Sequence, residues 1–202
     1  QIKMLINQII KDKSSSFLSY AALECRIIIE RLEFAPLIMA ASSLEDESWK
    51  IEVEKYKGIQ KLNSKIKTLR YRYQTFSTAF SNAIFENISL IPFNYKKAED
   101  LQAELAKYIH IYTKSDEDFK YDSKYVKDGI KLVNKTLDFL ENSCSLNNGA
   151  YLQGALDINS LSKEMINEFN DWVNRKDEDL VALTERLTKI REMKNMKKIK
   201  IE

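Results

Sequence analysis

The segment from Tyr20 to Phe34, Tyr-Ala-Ala-Leu-Glu-Cys-Arg-Ile-Ile-Ile-Glu-Arg-Leu-Glu-Phe, constrains the fold more than any other part of the chain. At about 100° per residue, Cys25, Ile28, Ile29 and Leu32 form one apolar stripe of a helix, and Leu23, Ile27 and Phe34 form a second nearly opposite. Charges occupy the seams, with Arg26, Glu30 and Glu33 along one and Glu24 and Arg31 along the other. A surface helix would give one of these stripes to water. The pattern predicts a central helix, the most buried of the fold, with Cys25, Ile28, Ile29 and Leu32 in its core. One stripe could equally be covered by a second subunit in an isologous dimer.

Punctuation is sparse: only 4 Gly and 2 Pro occur in 202 residues. Long helices joined by short loops accommodate so few breakers, whereas strands and hairpins demand more turn chemistry. The expected class is all-α. Helical spacing is legible in Leu5, Ile6, Ile9 and Ile10 and from Ser16 to about Ala40, where Pro36 predicts a kink or an end near Ala35. Ser43-Leu-Glu-Asp-Glu47 reads as a cap and acidic first turn for a helix through Trp49, Val53 and Tyr56, interrupted at Gly58 before a further helical run reaches Phe85. The stretch from Asn87 to Tyr95 contains Pro92 and reads as a non-helical connection. Helix resumes near Lys97 and lasts through His110. Ser115-Asp-Glu-Asp118 has capping-box form, and a strong helix follows from about Ser123 to Asn142. Asn147-Asn-Gly149 signals a turn. Two helices with narrower apolar stripes, roughly Ser160 to Arg175 and Asp177 to Met196, then suggest a hairpin appended to a main bundle. The implied division is residues 1–145 as the bundle and 150–202 as the hairpin.

A formal charge of +2 favours neither nucleic acid nor membrane as a bulk partner. The two cysteines offer neither metal spacing nor a disulfide framework, which fits a reducing, cytoplasmic compartment. No apolar run is long enough to cross a membrane and no signal-peptide pattern opens the chain, so no membrane partner is expected. No phosphate-cradling glycine loop or nucleophile elbow appears, and neither metal nor cofactor is expected.

Local clusters remain. Between Lys55 and Phe85 there is no acidic residue, while Lys57, Lys61, Lys65, Arg70 and Arg72 accumulate among Tyr56, Tyr71, Tyr73 and Phe76. Such a face could follow a phosphate backbone and stack bases. It could also be a solvated helix face, or a patch docked on the acids from Glu45 to Glu54. A second basic run, from Lys189 to Lys200, reads as a fraying tail with cations that complement a helix dipole. His110 is the only histidine, so histidine chemistry rests on it alone. Leu101, Leu105 and Tyr108 point its helix at the core, which predicts a buried imidazole bonded within the polar seam of Arg26 and Glu30.

The run Tyr20 to Glu30 together with Lys107-Tyr-Ile-His-Ile-Tyr112 resembles the HEPN superfamily, the higher-eukaryote and prokaryote nucleotide-binding helical domains, over residues 1–145. The resemblance implies a HEPN-like helical bundle, often dimeric. Many members are metal-independent ribonucleases of toxin-antitoxin, CRISPR and phage-defence systems. In those enzymes an Arg stands a few residues ahead of the His; here His110 matches the His, but Ala103, Glu104 and Leu105 occupy the Arg positions. The resemblance therefore implies a catalytically degenerate module of a bacterial defence or toxin-type system that binds RNA, nucleotide or a partner protein. Two alternatives stand beside it: an active ribonuclease using His110, and a pure protein-interaction scaffold.

Overall fold

A computed structural model describes residues 1–43, 51, 64–86, 88–112, 114–145, 156–175, 179–194 and 196–199. Among them the chain forms α1 (Ile2–Asp12), α2 (Leu18–Ser43), α3 (Ser64–Ile84), α4 (Tyr95–Ile109), α5 (Lys124–Ser143), α6 (Lys163–Asn174) and α7 (Leu180–Met193), with no sheet. The protein is all-α, and none of these helices is long and apolar enough to cross a membrane. Ser43, expected as a cap, is the last residue of α2, while the acids from Glu45 to Glu47, Trp49, Val53 and Tyr56, the break at Gly58 and the turn at Asn147–Gly149 lie outside the described residues.

The chain divides into two compact units, one of Gln1–Arg31 with Asn94–Asn142 and one of Leu32–Phe93 with Ser143–Glu202. Neither is a contiguous stretch. This differs from a bundle over 1–145 with an appended hairpin: α6 and α7 build the core of the second unit together with α3.

In the first unit, Ile2, Ile6 and Ile9 give α1 its buried side. The helix stops at Lys13, whose left-handed φ of 47° lets its N–H bond the Ile9 carbonyl. Leu18, Ala21, Ala22, Cys25 and Ile29 form the buried line of α2. That line is rotated from the expected stripe, so Ile28 and Leu32 are only half-buried. Helix α2 continues through Pro36 without ending at Ala35. Asn94 caps α4 by accepting from the Lys97 N–H at 2.9 Å. Ser123 starts α5, accepting from the Val126 N–H at 3.2 Å while its hydroxyl donates to the Asp118 carbonyl at 2.6 Å. The capping-box look of Ser115–Asp118 is a turn: the Ser115 N–H and hydroxyl both donate to the Asp118 carboxylate at 3.0 Å.

Gly129 lies where α5 makes its closest approach. A Cβ there would stand 2.7 Å from Leu18 Cδ2 and 2.7 Å from the Tyr108 ring, and that ring is itself stacked on Tyr125 at 4.8 Å. Alanine gains up to about 1 kcal/mol of helix propensity over glycine, but overpacking costs about 1 to 3 kcal/mol. Gly129→Ala is therefore expected to lower stability by about 1 kcal/mol, read as an earlier urea midpoint. An unchanged or later midpoint would show that Tyr108 yields freely.

In the second unit the central element is α3, and it, not the Tyr20–Phe34 helix, is the more completely buried. Ile66, Leu69, Tyr73, Phe76 and Ala83 meet Met165, Phe169 and Trp172 of α6 and Leu183 and Leu187 of α7. Phe169 sets its edge against Phe76 at 5.0 Å. Arg70, Gln74, Ser77, Thr78 and Ser81 are buried as well, along another side of the same helix. Thr75 and Thr78 hydroxyls donate to the carbonyls four residues back, which lets hydroxyls sit inside at little cost.

The end of α3 is closed from two directions. Buried Arg191 donates to the Ala83 carbonyl at 2.6 Å, and the Ile199 N–H donates to the Ile84 carbonyl at 2.9 Å. The Glu86 N–H returns a bond to the Ile199 carbonyl at 3.0 Å, making an isolated parallel bridge. Lys194 pairs with Glu164 at 2.6 Å. The basic C-terminal run is thus tied down at three residues, which corrects its reading as a fraying tail. After the bridge, the Asn82 side chain clamps Leu90, accepting from its N–H at 2.8 Å and donating to its carbonyl at 3.1 Å.

Candidate functional site

Of the clustered basic residues, the two whose side chains are described, Arg70 and Arg72, are buried and form no exposed face. Arg70 is 2% exposed and lies 3.9 Å from the carboxylate of fully buried Glu33. Arg72 is 8% exposed; its guanidinium lies 4.5 Å over the Trp172 ring and donates to the Arg175 carbonyl, the cap of α6. Both cations hold the second unit together, which corrects their assignment to nucleic acid. Lys57 and Lys61 lie outside the described residues, and Lys65 is described only as part of the α3 backbone.

The network around Arg72 extends further. The Trp172 indole N–H donates to the Arg72 carbonyl at 2.8 Å, and Glu168 accepts from Arg175 at 3.0 Å and from Arg186 at 2.8 Å. These residues join α3, α6 and α7.

The polar seam of α2 exists in part. Arg26 bonds Glu30 at 2.9 Å one turn away, in a half-exposed pair. His110 is not its partner. The imidazole stands exposed in the residue that ends α4, where φ −96° and ψ 81° turn the chain out of the helix. The apolar face that points α4 inward stops at Leu105 and half-buried Tyr108, so His110 inherits none of its burial. Its ring neighbour is Tyr112, 84% exposed and 6.2 Å away between centroids. Among the described residues no arginine or carboxylate bonds the imidazole.

Around this corner the first unit shows an aromatic and cationic surface. Lys107 and Lys114 are exposed, and the Lys114 ammonium sits 4.8 Å over the Tyr125 ring. Tyr125 stacks on Tyr108, takes the edge of Phe119 at 6.0 Å, and donates its hydroxyl to the Lys107 carbonyl at 3.3 Å. Burial raises the phenol pKa of Tyr108 and Tyr125, keeping both neutral at physiological pH. Two of the flanking acids are committed elsewhere: Asp118 is held below the usual carboxylate range by its bonds from Ser115, and Lys124, pairing with Asp128, lowers that carboxyl likewise. Tyr112, Lys114 and Tyr125 were not among the expected site residues, although the Tyr and Lys flanking His110 in sequence were a visible signal.

Other chemistry has little footing. Burial pushes the Cys25 thiol up to about 12, which removes it as a thiolate nucleophile near neutral pH. Among the described residues no three His, Cys, Asp or Glu side chains converge to hold a metal ion. No protein family, curated protein or solved structure matches the chain.

Proposed function

We propose that the chain is a non-catalytic binding module, HEPN-like in kind and belonging to a bacterial defence or toxin-type system, that takes single-stranded RNA or a nucleotide at the corner following α4. The observation that carries this reading is the exposed His110 and Tyr112 pair, flanked by Lys107 and Lys114, with no acid or arginine bonded to the imidazole among the described residues. An exposed ring beside cations suits base stacking and phosphate attraction. Ribonuclease chemistry needs a further cation at the scissile phosphate, the motif positions that would supply an arginine hold Ala103, Glu104 and Leu105, and Arg26 of the same unit is engaged with Glu30. The HEPN-like and defence assignments rest on the resemblance of Tyr20–Glu30 and Lys107–Tyr112.

The test is fluorescence anisotropy with labelled oligouridine at low salt, run beside a gel assay for cleavage. Binding without cleavage is expected. Loss of one stacking ring is worth about 1 to 3 kcal/mol per base, so Tyr112→Ala should weaken binding by about fivefold or more. Cleavage that disappears in His110→Ala would replace this reading with the ribonuclease one. No RNA or nucleotide binding at low salt would leave the scaffold reading.

A further inference from the structure

We propose that the exposed face of α5 is a phosphate track along which a single strand seated at the corner after α4 lays its backbone, which makes the ligand an oligonucleotide and not a mononucleotide. The proposal rests on the reading of that corner as a nucleic-acid site. Val126, Gly129, Val133, Thr136 and Leu140 turn inward, so Lys124, Lys127, Lys131 and Lys135 fall within about 80° on the opposite side of the helix. All four are exposed. They span about 16 Å of the axis, with about 6 Å between Lys127 and Lys131 and again between Lys131 and Lys135. That step is comparable with the one between successive phosphates of an extended strand.

Like charges one turn apart on a helix repel, so the row Lys127, Lys131 and Lys135 weakens α5 unless anions lie over it. The chain supplies them only at the ends of the track. Lys124 pairs with Asp128 and Lys135 with Glu104 at 3.6 Å, whereas among the described residues no carboxylate pairs with Lys127 or Lys131. The track begins at the corner: Tyr125, in the first turn of α5, donates to the Lys107 carbonyl at 3.3 Å and carries the Lys114 ammonium over its ring at 4.8 Å. Exposed Asp138, three residues past Lys135, closes the other end. No large apolar side chain of α5 is exposed. A protein partner needs an apolar centre and a membrane surface needs side chains that enter it, so a row of lysines alone favours a backbone of phosphates.

Fluorescence anisotropy on the full chain compares labelled diuridylate with octauridylate over a salt series, for the wild type, for Lys127→Gln combined with Lys131→Gln, and for Tyr112→Ala. The wild type is expected to bind the octamer about tenfold or more tighter than the dimer. The lysine variant should cut that ratio about fivefold. It should also lower the octamer's slope of log K against log salt by about 1.4, because each phosphate contact on a single strand contributes about 0.7. Glutamine is a good helix former, so unchanged helical circular dichroism ties the loss to charge. Tyr112→Ala should weaken both lengths and keep the ratio. Equal affinities for the two lengths in the wild type, or a ratio and slope unmoved by the lysine variant, overturn the track and leave the corner standing. An octamer weakened by the lysine variant but indifferent to Tyr112→Ala supports the track and removes the corner. Absence of binding at either length overturns both.

Discussion

Replacing Trp172 with alanine is expected to cost about 3 to 5 kcal/mol, a large fraction of the 5 to 15 kcal/mol that holds a typical domain. The side chain is fully buried in the core that α3, α6 and α7 share, so its removal leaves a cavity that close-packed neighbours refill only in part. It also strips Arg72 of the ring beneath its guanidinium, a contact worth about 0.5 to 2 kcal/mol. Trp172→Phe separates the contributions. It keeps most of the volume and a cation–π surface but loses the N–H bond to the Arg72 carbonyl, for an expected cost of about 1 to 2 kcal/mol. Urea denaturation followed by far-ultraviolet circular dichroism measures both. A Trp172→Ala variant within 1 kcal/mol of wild type would show that α6 contributes little to the second unit.

The second large effect is expected at Glu33 and Arg70, whose side chains are 0% and 3% exposed and 3.9 Å apart. Removing one member leaves the other charge inside, so Glu33→Ala and Arg70→Ala should each cost about 3 to 5 kcal/mol. Replacing both by apolar residues of similar volume, Glu33→Leu with Arg70→Met, removes the charges together. That variant is expected to recover most of the loss, since buried ion pairs seldom outperform well-packed hydrophobic replacements. Salt supplies a control: a buried pair is screened little, so the losses should be similar at low and high ionic strength. A double variant as unstable as the single ones would mean that the two residues act through other neighbours.

The same pair shows where sequence stops being informative. Glu33 was legible as a seam residue of α2 and Arg70 as a member of a basic run, but 37 positions separate them, and nothing local says that they meet. Arg72 and Trp172 are still further apart. Features set by neighbours in sequence were easier to read. The start of α5 follows from Ser123, helix resumes two residues ahead of the expected Lys97 because Asn94 caps α4, and the helical class follows from the scarcity of Gly and Pro. The centrality of α3 escaped because Gln74, Thr75, Ser77, Thr78 and Ser81 resemble a solvated face. Hydroxyls that bond their own backbone can be buried while looking polar in sequence. His110 lies one residue too far: Leu101 and Leu105 mark the buried face of α4 in sequence as in the fold, but the helix ends at Ile109.

The order in which the chain is made gives the discontinuous second unit a distinctive history. Helix α3 leaves the ribosome about a hundred residues before α6 and α7, an interval of about 5 to 20 s at ordinary rates of synthesis. Throughout that time Ile66, Tyr73 and Phe76 lack the aromatic side chains that later enclose them. The first unit, complete once Asn142 has emerged, can close while the other still waits. Nascent chains would therefore carry one finished unit and one exposed helix, and the aliphatic and aromatic surface of α3 is where a chaperone would have most to hold.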